Sequence, residues 1–229
     1  IARAEANAEK NLANARELFE SHLNAIFTRR EVGWKHISLG EVCGLQNGFA
    51  FKSSHFRDNG VPVLRISSIQ NDEICDNRPV YVDPSDYSED LTRYVVRQHD
   101  LLIAMSGATT GKVGSNKTDT EFFLNQRVGK FEPNKNLDVD FLYYFLATKV
   151  EENLAISAGT AQPNLSTKQI KNFQIPLPFI EEQKKICDEL SAISQETERL
   201  EGIYKLKLKN LADLKQSLLE KAFSGELRK

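Results

Sequence analysis

The sequence predicts an α+β protein, in which a mixed α/β domain of many short strands is flanked by two long helices that form an antiparallel coiled coil. Three observations favour this class. The segment 180–229 contains no proline and carries apolar residues at heptad spacing. The segment 1–30 is rich in alanine, a strong helix former, and shows the same spacing. The segment 31–179 has shorter apolar runs, more Gly, Asn and Ser, and most of the prolines.

The first long helix is expected over residues 1 to about 29. Two series of positions recur every seven residues, and they are Leu12, Phe19 and Ile26, and Ile1, Ala8, Ala15 and His22. Small residues come early and large ones late, which favours a close approach of a second helix near the start. At 1.5 Å per residue this helix would be about 45 Å long. It begins inside a helical pattern at Ile1, so we expect a piece of a longer polypeptide.

The middle domain is expected to consist of short strands and turns. Strands are predicted at 34–39, 61–67, 100–105, 124–131 and 173–175, and a turn at 47–48 is predicted to lead into a strand that reaches residue 52. Helical turns are predicted at 39–43, 84–86 and 167–171, and an aromatic-rich helix at 138–153. The segments 106–114 and 157–166 are expected to be a turn and a polar loop. This arrangement predicts a sheet whose strands pair across long sequence separations.

The last long helix is expected from about residue 180 to 223, after the prolines at 176 and 178, with acidic Glu181 and Glu182 in its first turn. Its two heptad series are Leu190, Thr197, Tyr204, Leu211 and Leu218, and Ile186, Ile193, Leu200, Lys207 and Leu214. A rod of roughly 60 Å cannot bury such a seam against itself. We therefore expect it to pack against the first helix, with its overhang left for another partner.

Composition limits the function classes. The net charge is −2 and the pI about 6.2, whereas a stand-alone nucleic-acid binder usually has a basic excess. Three widely spaced cysteines, Cys43, Cys75 and Cys187, have no metal-ligand spacing and predict structural thiols in a reducing, cytoplasmic environment. No apolar run is long enough for a membrane span, and no signal peptide is evident.

Catalytic motifs are incomplete. The segment 107–113 resembles a phosphate-binding loop, but it has three rather than four residues between its glycines, and Val113 replaces the hydroxyl residue. The histidines lack metal spacing, and no nucleophile elbow or methyltransferase motif occurs. The sequence 182–184 resembles a nuclease tail without a paired carboxylate on a nearby strand. We expect no catalytic site, no metal and no cofactor in this chain.

Polar side chains cluster at the predicted turns and strand ends. Arginine suits guanine, Asn and Gln suit adenine, and Ser adapts to either, although such residues also occur on any solvated surface. The candidate DNA-binding residues are Asn47, Lys52, Ser53, Arg65, Ser67, Gln70, Ser106, Thr110, Lys112, Arg127, Gln162 and Asn164.

The combination of segments resembles the specificity subunit of type I restriction–modification enzymes. The matching segments are 34–35, 39–42, 47–53, 63–67, 100–114, 124–128, 159–166, 175–178, 182–183 and 222–225. Full-length members of that family have two DNA target-recognition domains joined by two long antiparallel helices. Each domain recognises one half of a split DNA site, and the modification subunits supply methyl transfer and its cofactor.

The resemblance implies that this chain is half of such a subunit: a spacer helix at 1–30, one target-recognition domain at 31–179 and a long conserved helix at 180–229. It implies double-stranded DNA, modification subunits and, through the complex, restriction subunits as partners. Pairing of two copies through the long helices would restore the missing symmetry. DNA contacts are expected from loops near 47–53, 67–70, 106–112 and 162–166, foremost from Lys52, Arg65, Lys112 and Arg127.

Two other hypotheses remain at this stage. The chain could be a coiled-coil scaffold whose central domain binds protein, and it would then bind independently of salt. It could instead hydrolyse a nucleotide with Lys112, and Lys112→Ala would then abolish turnover.

Overall fold

The computed structural model describes residues 1–29, 33–70, 72–75, 78–149 and 164–224. The chain divides into two compact units: Ile1–Arg29 with Ile186–Lys229, and Arg30–Lys185. The fold is α+β, with many short strands and two long helices, as the sequence predicts.

The helical unit consists of α1 (Ala2–Thr28) and most of α5 (Ile180–Phe223). Side-chain pairs fix their antiparallel direction, because Glu5 is near Lys215, Arg16 bonds to Glu201, and His22 contacts Glu189. Residues of increasing number along α1 therefore lie opposite residues of decreasing number along α5.

The predicted seam of α1 is confirmed along the helix. Ala8, Ala15 and Ile26 are buried, and Leu12, Phe19 and His22 are half-buried. Ile1 is the exception, because it precedes the helix and is exposed.

The predicted seam of α5 is confirmed over most of its length and is wrong toward the C-terminal end of the helix. Leu190 is buried and Thr197, Tyr204 and Leu211 are half-buried, as expected, but Leu218 is exposed. In the second series Ile186, Ile193 and Leu200 are half-buried, whereas Lys207 and Leu214 are exposed. The seam also includes the next position along the helix, because Cys187 is buried and Ser194, Glu201 and Leu208 are half-buried. A carboxylate is accommodated in the seam because Arg16 neutralises Glu201.

The central unit contains twelve strands among its described residues. They are β1 (Lys35–Ser38), β2 (Cys43–Asn47), β3 (Val61–Leu64), β4 (Ile69–Gln70), β5 (Asp72–Ile74), β6 (Tyr81–Val82), β7 (Val95–Val96), β8 (Leu101–Ala104), β9 (Val113–Ser115), β10 (Phe122–Leu124), β11 (Val128–Pro133) and β12 (Gln174–Leu177). Its described residues also form short α-helices, which are α2 (Leu39–Val42), α3 (Val139–Ala147) and α4 (Thr167–Lys171), and several 3₁₀ helices.

The strands form three sheets. A six-stranded sheet has the order β2-β11-β8-β9-β5-β4, a four-stranded sheet has the order β6-β3-β10-β7, and β1 pairs with β12. Most pairs are antiparallel, whereas β3 with β10 and β5 with β9 are parallel. The pairing joins residues far apart in sequence, as expected.

Two hydrophobic clusters lie on either side of the four-stranded sheet. Along β3, Val63 enters one cluster and the next residue, Leu64, enters the other. Along β10, Phe123 and Leu124 divide in the same way. This alternation follows from the period of two in a strand and explains why both faces of these strands are apolar.

Three predicted strands end differently in the structure. The segment around Asn47 is the end of β2 rather than a turn into a new strand. The strand predicted at 61–67 stops at Leu64, because the Ser68 hydroxyl accepts the Arg65 N–H and a 3₁₀ helix, Ile66–Ser68, follows. The strand predicted at 124–131 is two strands in different sheets, separated by a turn in which Val128 N–H donates to the Asn125 carbonyl.

Most of the remaining predicted elements agree where the structure describes them. The helix predicted at 138–153 begins after Asp138, whose carboxylate accepts the N–H groups of Asp140 and Phe141, but it ends at Ala147, because Thr148 is its C-cap and a turn follows. The polar loop predicted at 157–166 lies outside the described residues up to position 163. Cys43 and Cys187 are buried, as structural thiols should be, whereas Cys75 is exposed.

Gln183 connects the start of α5 to the turn before α3. It is fully buried, its side-chain oxygen accepts the Asp138 N–H, and its amide donates to the carbonyls of Asn136 and Pro178. Gln183, the middle residue of the triplet 182–184, thus has a structural role, which accounts for this residue without the nuclease function that the triplet resembles.

Candidate nucleic-acid interface

One edge of the six-stranded sheet gathers polar residues from three strands. β2 ends at Asn47, β8 ends just before Met105 and Ser106, and β11 begins just after Arg127. Because β11 is antiparallel to both neighbours, these three positions meet at the same edge. Backbone bonds reinforce the meeting, since the Met105 N–H donates to the Arg127 carbonyl over 2.9 Å.

The segment that leads into α4 closes this edge. The Leu165 N–H donates to the Met105 carbonyl over 2.8 Å, and Asn164 forms a β-bridge with Ser106. The Thr167 hydroxyl donates to the side-chain oxygen of Asn47 over 3.0 Å. Four chain segments distant in sequence therefore border one surface depression.

The depression is a cavity of about 480 Å³, which we call the edge cavity. Its walls are polar except for two buried apolar residues. The lining residues are Asn47, Met105, Ser106, Gln126, Arg127, Asn164, Leu165, Ser166 and Thr167. Four of the predicted DNA-binding residues, Asn47, Ser106, Arg127 and Asn164, thus come together here.

Ser106 has an unusual position in the wall of the edge cavity. Its side chain lines the cavity, the residue is only 7% exposed, and its hydroxyl oxygen has no hydrogen-bond partner within the described residues. A buried polar group without a partner costs about 1–3 kcal/mol. Such a group in a cavity wall indicates a place for a polar ligand or a water molecule.

The cavity residues differ in how far their side chains are already used. The Ser166 hydroxyl is engaged in capping α4, because it accepts the Gln169 N–H and contacts the Gln169 side chain. Gln126 and Arg127 are exposed, and their side chains make no hydrogen bond or ion pair within the part of the chain that is described. The rim thus presents a carboxamide and a guanidinium that can bind a ligand.

A second group of predicted residues surrounds the 3₁₀ turn Gly107–Thr109. The Thr109 hydroxyl donates to the Ile66 carbonyl over 3.0 Å, which ties this turn to Ser67 and Gln70. The Gln70 amide donates to the Ser67 carbonyl. Arg65 is half-buried, and its guanidinium donates to the Arg78 carbonyl. These residues therefore have structural contacts beside any ligand they bind.

Thr110 and Lys112 follow this turn and differ in accessibility. Thr110 is fully buried and its hydroxyl donates to the Gly107 carbonyl, so its side chain has no surface with which to contact DNA in this conformation. Lys112 is exposed. Strand β9 rather than a helix follows Lys112, so this segment lacks the helix N-terminus that a phosphate-binding loop requires.

The other predicted site residues lie apart from the edge cavity. Lys52 and Ser53 are exposed at the start of the 3₁₀ helix Ser53–His55. Gln162 lies outside the described residues. Thr167 was not among the predicted site residues, although the capping box formed by Ser166 and Gln169 marks it as the first residue of a helix.

The described residues contain no group of three or more His, Cys, Asp or Glu side chains arranged to hold a metal ion. None of their helices is both long and apolar enough to cross a bilayer.

Comparison with known proteins identifies the family. Residues 31–209 match the family model of the type I restriction modification DNA specificity domain. The chain belongs to this family. The match spans the central unit with the edge cavity and more than half of α5.

Curated relatives carry the same assignment. This DNA specificity domain is 29% identical to the type I restriction enzyme MjaVIII specificity subunit of Methanocaldococcus jannaschii, over 88% of this chain and 49% of that protein. It is 29% identical to the EcoBI specificity subunit of Escherichia coli, over 95% of this chain and 44% of that protein. The chain thus spans about half the length of these relatives.

The fold is also known from experiment. The HsdS subunit from Thermoanaerobacter tengcongensis superposes with a TM-score of 0.70 at 22% identity, covering 98% of this chain and 54% of that one. This likeness concerns the fold, in which short-stranded sheets are combined with long helices.

Proposed function

We propose that this chain is a non-catalytic DNA-recognition module of a type I restriction–modification complex, and that its central unit recognises one half of a bipartite target. The observation that carries the proposal is the edge cavity, where four residues chosen as base-contacting candidates converge within a domain of the DNA specificity family. The scaffold hypothesis is not favoured, because the family match includes the whole central domain.

The charge distribution agrees with a subunit that selects sequence while others hold the DNA. The net charge of −2 offers little general attraction for a polyanion. The lining of the edge cavity nevertheless contains one cation, Arg127, and no carboxylate. We propose that modification subunits clamp the duplex and supply methyl transfer and its cofactor, so that this chain needs no cofactor of its own.

The helical unit would position the recognition domain and dock its partners. We propose that α1 and α5 set the distance to a second recognition domain and bind the modification subunits, through which restriction subunits join. Because the chain spans about half of its relatives, a second copy can supply the second domain. The complex would work in the cytoplasm, where its DNA target lies.

Selection of duplexes from a random library tests the proposal. The chain assembled with modification subunits should enrich one short sequence motif, and binding should weaken steeply as salt rises from about 50 to 200 mM. Arg127→Ala and Lys112→Ala should each weaken binding, and Arg93→Ala is the matched control, because Arg93 instead stacks on Tyr94. Enrichment of no motif, or binding to protein alone that is insensitive to salt, would contradict the proposal.

A further inference from the structure

The edge cavity combines three kinds of hydrogen-bonding group. Its carboxamides belong to Asn47, Gln126 and Asn164, its unpaired hydroxyl to Ser106, and its guanidinium to Arg127. Since the Asn47 oxygen already accepts from Thr167, the amide N–H groups of Asn47 remain as donors. The set therefore has several donors, and acceptors remain on Gln126 and Asn164.

We propose that the edge cavity binds the major-groove edge of one purine in the target duplex, with the purine N7 as an obligatory acceptor. This inference rests on the proposed function and specifies which chemical group of the DNA the cavity recognises. Gln126 and Arg127 bind the purine edge from the rim, and Ser106 bonds to it at the wall, directly or through one water molecule.

The lining favours a purine edge over other parts of DNA. Guanine presents O6 and N7 to the fork of an arginine, and adenine presents N6 and N7 to a carboxamide, so both purines share N7 and both partners are present. The N6 amino group of adenine can in addition donate to the carboxamide oxygen of Gln126 or Asn164, which a phosphodiester, having only acceptors, cannot do. Cytosine is best matched by a carboxylate, which the lining lacks.

Ser106 supplies independent support, because its hydroxyl is more than nine-tenths buried and unpaired within the described residues while its side chain lines the cavity. Because an unpaired buried hydroxyl is itself destabilising, Ser106→Ala should leave the melting temperature unchanged or raise it. If Ser106 binds the ligand, the same substitution should nevertheless weaken binding.

The test uses 7-deazapurines, in which C–H replaces N7 and removes this acceptor. The target is first defined by duplexes that the wild-type chain selects in complex with modification subunits. Each purine is then replaced singly by its 7-deaza analogue. One replacement should weaken wild-type binding about tenfold. Gln126→Ala, Arg127→Ala and Ser106→Ala should weaken binding to the natural duplex and should lose sensitivity to that same replacement.

Controls separate this inference from the proposed function. Arg93→Ala removes an equal charge outside the cavity and should keep the wild-type sensitivity to the deaza replacement. If the wild type selects a motif but no deaza replacement matters, or the cavity variants keep full sensitivity, the purine assignment is wrong while sequence recognition stands. A further outcome concerns a duplex in which one backbone phosphate is replaced by a neutral methylphosphonate. If this replacement weakens binding of the wild type but not of the cavity variants, the cavity binds phosphate. If the wild type selects no motif, both proposals fail.

Discussion

At the scale of single residues, Gly48 shows how one missing side chain shapes the candidate interface. A Cβ atom at this position would lie 2.2 Å from the Asn125 carbonyl oxygen, a separation that no real contact allows. The Gly48 N–H donates to the Val128 carbonyl, which draws the end of β2 onto the turn that carries Gln126 and Arg127. The geometry of the edge cavity therefore depends on glycine at position 48.

Replacing this glycine should be costly. Gly48→Ala should lower the free energy of unfolding by about 3 kcal/mol, because two backbone segments must separate to admit the methyl group. Urea denaturation monitored by circular dichroism measures this. Gly202→Ala is the control: nothing lies within 4 Å of a Cβ there, and Gly202 is exposed within helix α5. It should raise the free energy of unfolding by about 0.5–1 kcal/mol. Equal effects at the two glycines would refute the close-approach argument.

At the scale of elements, the helix pair depends on a charged residue in its seam. Arg16 forms two hydrogen bonds with Glu201, of 2.7 and 3.0 Å, and Lys205 adds a third of 2.6 Å. These partners lower the pKa of Glu201 from 4.5 to about 2, with the Arg16 hydrogen bond as the largest cause. The carboxylate is therefore favoured in the folded state and is stabilising only while it is ionised.

The sign of the pH dependence follows. A carboxyl group whose pKa is lower in the folded state contributes its full stability above pH 4.5 and loses it as the pH falls toward 2. Glu201→Gln should lower the free energy of unfolding by about 1 kcal/mol at neutral pH, since solvent screens half-exposed Arg16. It should also flatten the decline between pH 4.5 and 3, measured by denaturation at each pH. Glu198→Gln, on the exposed side of α5, should do neither, and an unchanged slope in Glu201→Gln would refute the seam contact.

At the scale of the whole molecule, helix α5 presents apolar side chains beyond those turned toward α1. Within the described residues, the exposed ones on α5 are Ile203, Leu206, Leu214, Leu218, Leu219 and Phe223. At 100° per residue Ile203, Leu206, Leu214 and Leu218 share one side of the helix, and we propose that this apolar side binds protein. This agrees with the proposal that α5 docks a second copy or the modification subunits.

A double substitution tests this surface. Leu206→Glu combined with Leu214→Lys should abolish whichever association uses this surface. Light scattering measures dimerisation of the isolated chain, and co-elution measures binding to modification subunits. The double substitution should leave the helical circular dichroism signal unchanged, because both side chains are exposed. Leu18→Glu, at an exposed position of α1, is the control and should leave association intact. Association that survives the double substitution would show that the partners bind elsewhere.

The long helices were predicted more closely than the strands of the sheets. Heptad spacing in α1 gave the correct seam, since local periodicity determines which side chains share a helix face. In α5 the spacing gave Ile186, Ile193 and Leu200, which are half-buried, but it did not include Glu201, because periodicity does not reveal that Arg16 neutralises a charge. Strand ends at Leu64 and Leu124 were missed because a hydroxyl bond and a change of sheet, rather than composition, end those strands.

The sequence by itself determined the fold class, the two long helices, the family and the residue types available for DNA recognition, because periodicity and motif order are properties of the linear chain. Only the tertiary structure decided that Asn47, Ser106, Arg127 and Asn164 border one cavity and that Thr110 is buried in a turn. The physical reason is that these positions are brought together by pairing of β2, β8 and β11, whose partners are far apart in sequence. Non-local hydrogen bonds leave no periodic trace from which such a meeting can be predicted.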